Sequence, residues 1–138
     1  MKKKTNSRVY SRLDYHIIFG TKNCQKILNE YLLEAIRENA KKKIEELGGK
    51  LHILNGYLDH IHILLSLSAK VSISVAVKNI KGYTSHEIED LYWQRGCGAF
   101  TVDKRSFENI FDYIKNQSKH HEEKSFEEEY EMLMRNKI

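Results

Sequence analysis

Along residues 11–19, Leu13, Tyr15, Ile17 and Phe19 take one side of an alternating pattern and Arg12, Asp14, His16 and Ile18 the other. That period of two predicts a first strand. From Ile27 to Leu47 the apolar positions Leu28, Leu32, Ala35, Ile36, Ala40, Ile44 and Leu47 change to a helical period, and Gly48-Gly49 supplies a left-handed stop. Lys50 to Leu58 and His60 to Ser68 are two β-rich runs with little more than Asp59 between them, which predicts an antiparallel pair with a tight connection. Ser72 to about Leu91 returns to helical spacing through Val75, Ala76, Ile80, Tyr83 and Ile88. Gly96-Cys97-Gly98 breaks that pattern, and Ala99 to Val102 is short enough for a fourth strand. Ser106 is the expected N-cap of a helix running to about His121, and Ser125 that of a last helix over 126–135. In that last helix Glu127-Glu128-Glu129 suits the positive end of the helix dipole.

The order β-α-β-β-α-β followed by helices predicts an α+β fold: a ferredoxin-like sandwich whose four-stranded antiparallel sheet carries two helices on one face. The other face is expected to remain available. At 138 residues the chain suits one domain, with residues 1–8 as a basic N-terminal arm and 105–138 as a C-terminal helical part.

Composition narrows the function classes. Hydrophobic residues at 41% and charged residues at 30% are ordinary for a globular protein, and no apolar run reaches the roughly 20 residues of a membrane span. The basic start is not followed by the apolar stretch of a secretion signal, so the cytoplasm is the expected location. Cys24 and Cys97 lie in unrelated surroundings without CxxC spacing, which points to free thiols. The net charge of +4 is uneven: residues 1–50 hold 12 lysines and arginines against 6 acids, and residues 122–138 hold 3 against 6. Such a balance permits a polyanionic partner without requiring one. Lys2, Lys3, Lys4, Arg8, Arg12, Lys78 and Lys81 are the candidates for contacts to such a partner, although each taken singly is more often plain solvated surface.

Chemistry enters at the third predicted strand. Alternation sends His60, His62, Leu64, Ser66 and Ser68 to one face and Ile61, Ile63, Leu65 and Leu67 to the other. The second set is unbroken aliphatic core and fixes the register, because a one-residue slip would exchange the faces. Both histidines are thereby expected on the open face. Residues two apart have backbones roughly 6–7 Å apart, a span across which two imidazoles can converge on one metal ion. Taken alone, the spacing is better explained by two half-exposed histidines with no ligand. Tyr113 and Gln117, four apart, share one side of their helix and offer a phenol and an amide oxygen to one neighbour. Phe107, Phe111 and Ile114 already supply that helix with an apolar face.

Four segments, in order, carry a resemblance. They are Tyr15-His16-Ile17-Ile18-Phe19-Gly20-Thr21-Lys22, Asp59-His60-Ile61-His62-Ile63-Leu64-Leu65-Ser66, Ile80-Lys81-Gly82-Tyr83-Thr84-Ser85 and Phe111-Asp112-Tyr113-Ile114-Lys115-Asn116-Gln117. Together they resemble the single-tyrosine HUH transposases, the small insertion-sequence enzymes and their REP-associated relatives. The resemblance implies that His60, His62 and Gln117 bind a divalent metal ion, Mg²⁺ or Mn²⁺, and that Tyr113 is the nucleophile. It implies cleavage and rejoining of single-stranded DNA through a 5′-phosphotyrosine, hairpins at element ends as ligands, and a homodimer. Where relatives often place a basic pair after Thr-Lys, this chain has Asn23-Cys24-Gln25. Two other readings stay open on the sequence. One is an inactive relative acting as a nucleic-acid-binding module; the other is a different HUH endonuclease, of the replication-initiator or relaxase type. An unrelated metallohydrolase would not need Tyr113.

Overall fold

The computed structural model describes residues 10–117 and 125–135. The basic arm, with Lys2, Lys3, Lys4 and Arg8, and the expected end of the tyrosine helix beyond Gln117 lie outside those residues. Four strands, β1 (Leu13–Gly20), β2 (Lys50–Tyr57), β3 (His60–Leu67) and β4 (Gly98–Val102), form one sheet in the order β2-β3-β1-β4, every neighbour antiparallel. That is the ferredoxin-like arrangement the pattern predicts.

Two helices, α1 (Glu30–Glu46) and α2 (Ile73–Glu87), cover one face. The core lies between them and the sheet: Ile17 and Phe19 of β1 and Ile61, Ile63 and Leu65 of β3 meet Leu33, Ile36, Ala40 and Ile44 of α1 and Ala76 and Ile80 of α2. Burial of such side chains, each contributing about 1.5–3 kcal/mol, holds β3 in its register. Helix α1 begins later than its apolar period suggests. Leu28 is taken up in a bridge to Leu58, and Asn29 caps the helix by accepting from the Leu32 amide at 2.8 Å. The β2–β3 connection is the tight turn expected, with Leu58 at φ 55.

Two further α-helices, α3 (Phe107–Lys115) and α4 (Phe126–Met134), follow β4, and a single 3-10 turn, Lys22–Cys24, follows β1. Ser106 stands at the N-cap position of α3 but its side chain makes no capping bond; Asp103 accepts from the Ser106 amide at 2.8 Å instead. Ser125 does cap α4, in a capping box with Glu128.

The open face predicted for the histidines is not open. Helices α3 and α4 supply its cover, leaving Leu64, His60 and His62 0% exposed and His16 and Ile18 1% exposed. Glycine makes the close approach possible. A Cβ at Gly20 would lie 3.1 Å from the Phe126 ring, and one at Gly98 would lie 2.9 Å from Tyr130.

Candidate active site

Pairing sets Gly20 opposite His60, Ile18 opposite His62 and His16 opposite Leu64, with Asn55 opposite His62 on the other side. Since pairs directly across a sheet share a face, His16, Asn55, His60 and His62 project toward the same covering helices. The first side chain to meet them comes from α4. Glu129 is 1% exposed, and its Oε1 lies 3.0 Å from Nε2 of His60 and 2.9 Å from Nε2 of His62. Its Oε2 accepts from the Gln117 amide at 2.9 Å and from the Tyr113 hydroxyl in a very short hydrogen bond. One carboxylate thus joins all four residues singled out from the sequence. Gln117 Oε1 also lies 3.3 Å from His60 Nε2.

The far side of each imidazole is held as well. Asp59 Oδ1 is 2.9 Å from His60 Nδ1, and His16 Nε2 is 2.8 Å from His62 Nδ1. Burial first, and then the His62 charge, hold the His16 pKa down to about 3, so His16 is neutral at ordinary pH and can accept from His62. Burial opposes a charge on His60, yet its hydrogen bonds to Asp59 and Glu129 outweigh that and raise its pKa. With both Nδ1 atoms engaged, both Nε2 atoms are directed to the one place where Glu129 Oε1 stands. The Tyr113 pKa is raised, by burial foremost and by the neighbouring Glu129 charge.

Ligand atoms of His60, His62 and Glu129 lie within 4.8 Å of one another, and they form a possible metal-binding triad of two nitrogens and one oxygen. That donor set, with no thiolate, fits a divalent ion. Gln117 adjoins the triad, with its Oε1 3.3 Å from His60 Nε2.

Tyr113 owes its place to the seating of α3. At the helix start, the Phe107 ring packs edge-on against His52 at 4.9 Å, with the Arg12 guanidinium 5.3 Å above it. At the helix end, Asn55 Nδ2 donates to the carbonyls of Ile114 and Lys115, each at 3.1 Å. Arg12, whose side chain is exposed, also pairs with Asp14 at 2.9 Å. Lys81 is similarly engaged, donating to the Gln94 and Gly96 carbonyls at 2.8 and 2.6 Å. Lys78 lines an open groove beside α2.

Sequence reasoning missed Glu129, His16 and Asn55 as parts of this cluster. His16 had a signal, since its alternation with Ile17 already set it on the histidine face. Glu129 had none, being one acid in a run that the helix dipole accounts for.

A buried pair of histidines, a carboxylate and a tyrosine gathered on one face of a ferredoxin-like sheet define a DNA-cleaving and strand-transferring enzyme once the relatives are set beside them. The chain belongs to the family of IS200-like transposases, whose family model matches residues 9–117. It is similar to the transposase for insertion sequence element IS200 of Salmonella typhimurium and to that of Salmonella typhi. Each is 30% identical over 115 residues, covering 75% of this chain and 75% of the relative. Among solved structures it is similar to a candidate transposase from Deinococcus radiodurans, with 25% identity, a TM-score of 0.61 and coverage of 85% of this chain and 98% of that one. It shares its fold with a REP-associated tyrosine transposase bound to a REP hairpin, at 14% identity, a TM-score of 0.63 and coverage of 88% and 74%.

Proposed function

We propose that this transposase cuts and rejoins single-stranded DNA with Tyr113 as the nucleophile, and that His60, His62 and Glu129, with Gln117 beside them, hold a divalent ion, Mg²⁺ or Mn²⁺. The convergence of Tyr113, Gln117 and both histidine Nε2 atoms on the Glu129 carboxylate carries this reading. When bound, the ion supplies Lewis-acid polarisation of a phosphate oxygen. The protein's own groups do the rest. Tyr113 Oη attacks a backbone phosphorus, and its proton passes to Glu129 Oε2, already its hydrogen-bond acceptor. The bond from phosphorus to the departing 3′ oxygen breaks, that oxygen takes up a proton as a free 3′-hydroxyl, and the 5′ phosphate stays on Tyr113. Attack by another 3′-hydroxyl reverses the step at a new junction, with no external energy source.

Hairpins at element ends are the proposed DNA ligands, in line with the REP hairpin bound by the structural relative. A homodimer working in the cytoplasm completes the reading, and no helix among the described residues is long and apolar enough to cross a membrane. Incubation with labelled hairpin DNA and Mn²⁺ should give a denaturant-resistant protein–DNA adduct that Tyr113→Phe abolishes. Cleavage that survives this substitution would show that water, not Tyr113, is the nucleophile.

A further inference from the structure

The segment following α2 is fastened to the end of β1 more firmly than its irregular sequence suggests. The Lys22 amide donates to the Tyr92 carbonyl and the Gln94 amide to the Gly20 carbonyl, each at 2.9 Å, and Thr21 bridges Trp93. Trp93 packs edge-on against Phe19 at 4.8 Å and donates its indole N–H to Thr84 at 2.9 Å. Lys81 closes the brace through its two carbonyl bonds, with its ammonium 4.9 Å over the Phe19 ring. This scaffold forms one wall of a groove of about 880 Å³, with α2 as the other.

The groove has a definite chemistry. Lys22, Lys78, Lys81 and Arg95 line it, no aspartate or glutamate among the described residues does, and Tyr92 stands in it 58% exposed. Cations along a channel with an exposed aromatic ring are what a flexible polyanion with stackable bases requires. The groove also adjoins a second cavity that reaches Phe126, Glu127 and Glu131 of α4. Gln94, Arg95 and Cys97 line both the groove and that cavity, of about 550 Å³. Phe126 lies parallel to the His60 ring at 4.1 Å.

We propose that this groove is the seat of the single-stranded DNA that flanks the reacting phosphate. Lys22, Lys78 and Arg95 take successive phosphates, and Tyr92 stacks on a base. The inference rests on the strand-transfer reading above, and it assigns the DNA a path separate from the histidine cluster. Lys81 is the brace of that path, its burial lowering its pKa.

Binding of a fluorescent oligo-dT strand to full-length Tyr113→Phe protein, followed by anisotropy against salt, tests the path without turnover. Adding Lys78→Gln and Arg95→Gln should weaken binding and reduce the slope of log affinity against log salt by about 1.4, at about 0.7 for each single-strand phosphate deprived of its cation. Tyr92→Ala should weaken binding about tenfold, and Tyr92→Phe should restore it, because stacking needs the ring and not the hydroxyl. Saturating oligo-dT should also slow alkylation of Cys24 and Cys97, two exposed thiols that line the groove. Unchanged affinity and salt slope in the variants, with unprotected thiols, would overturn the groove assignment while leaving Tyr113-dependent adduct formation intact. Loss of binding in both Tyr92→Ala and Tyr92→Phe would overturn the stacking role. Loss of a dimer in Tyr92→Ala, seen by sedimentation, would make this face an interface between copies instead. Absence of both DNA binding and the adduct in unsubstituted protein would be the separate failure of the strand-transfer reading.

Discussion

Asp59 and His16 never meet the point where the two Nε2 atoms converge, yet each fixes one imidazole from behind. A neighbour that takes the proton at Nδ1 leaves Nε2 free to offer its lone pair to an ion, so these two residues orient the rings for that task. Loss of such a support typically weakens metal binding by about 10–100-fold. Asp59→Ala is therefore expected to weaken Mn²⁺ binding by about that factor while leaving the sheet intact, as titration calorimetry beside circular dichroism would record. Unaltered Mn²⁺ affinity would remove Asp59 from the site. At this scale strand and helix periods set His60 with His62 and Tyr113 with Gln117, and only the resemblance of four segments attached roles to them. The sequence hid the carboxylate that joins them, because Glu129 is 69 residues from His60 and a contact of that span leaves no local pattern.

A helix that carries the proposed nucleophile needs a defined end, and the end of α3 is held by a residue from another element. The last carbonyls of a helix lack internal partners, and Asn55 on β2 supplies one for two of them. Asn55→Ala should cost about 1 kcal/mol, lower the melting temperature by a few degrees and slow adduct formation beyond the loss of folded protein. Equal adduct rates per folded molecule would reduce Asn55 to a stabilising contact. The boundaries of elements were also where sequence reasoning departed from the structure. Leu28 fitted the helical period but serves a bridge to Leu58, and Ser106 looked like a cap where Asp103 makes the bond. The amphipathic character of the last two helices was legible. Which surface they would cover was not, since a helical period specifies an apolar side without naming its partner.

Across the whole molecule one strand divides the labour, its odd positions filling the core and His60 and His62 serving the site. Ligand binding to the folded state alone adds stability by mass action, about 2.7 kcal/mol at a concentration 100 times the dissociation constant. Mn²⁺ should therefore raise the melting temperature of the protein and leave that of the His60→Ala, His62→Ala double variant unmoved. An equal rise in both would place the ion elsewhere. The β-α-β-β-α-β order was legible because each element carried its own period and stop. The enclosure of the histidines was not, because it depends on α4 packing back across strands far earlier in the chain. That return also has a consequence in time. Proteins are made from the N-terminus, and α4 is the last described element to leave the ribosome. There is thus an interval in every molecule's birth when the residues of all four strands and of α3 have been joined but the carboxylate that will face them has not yet been synthesised.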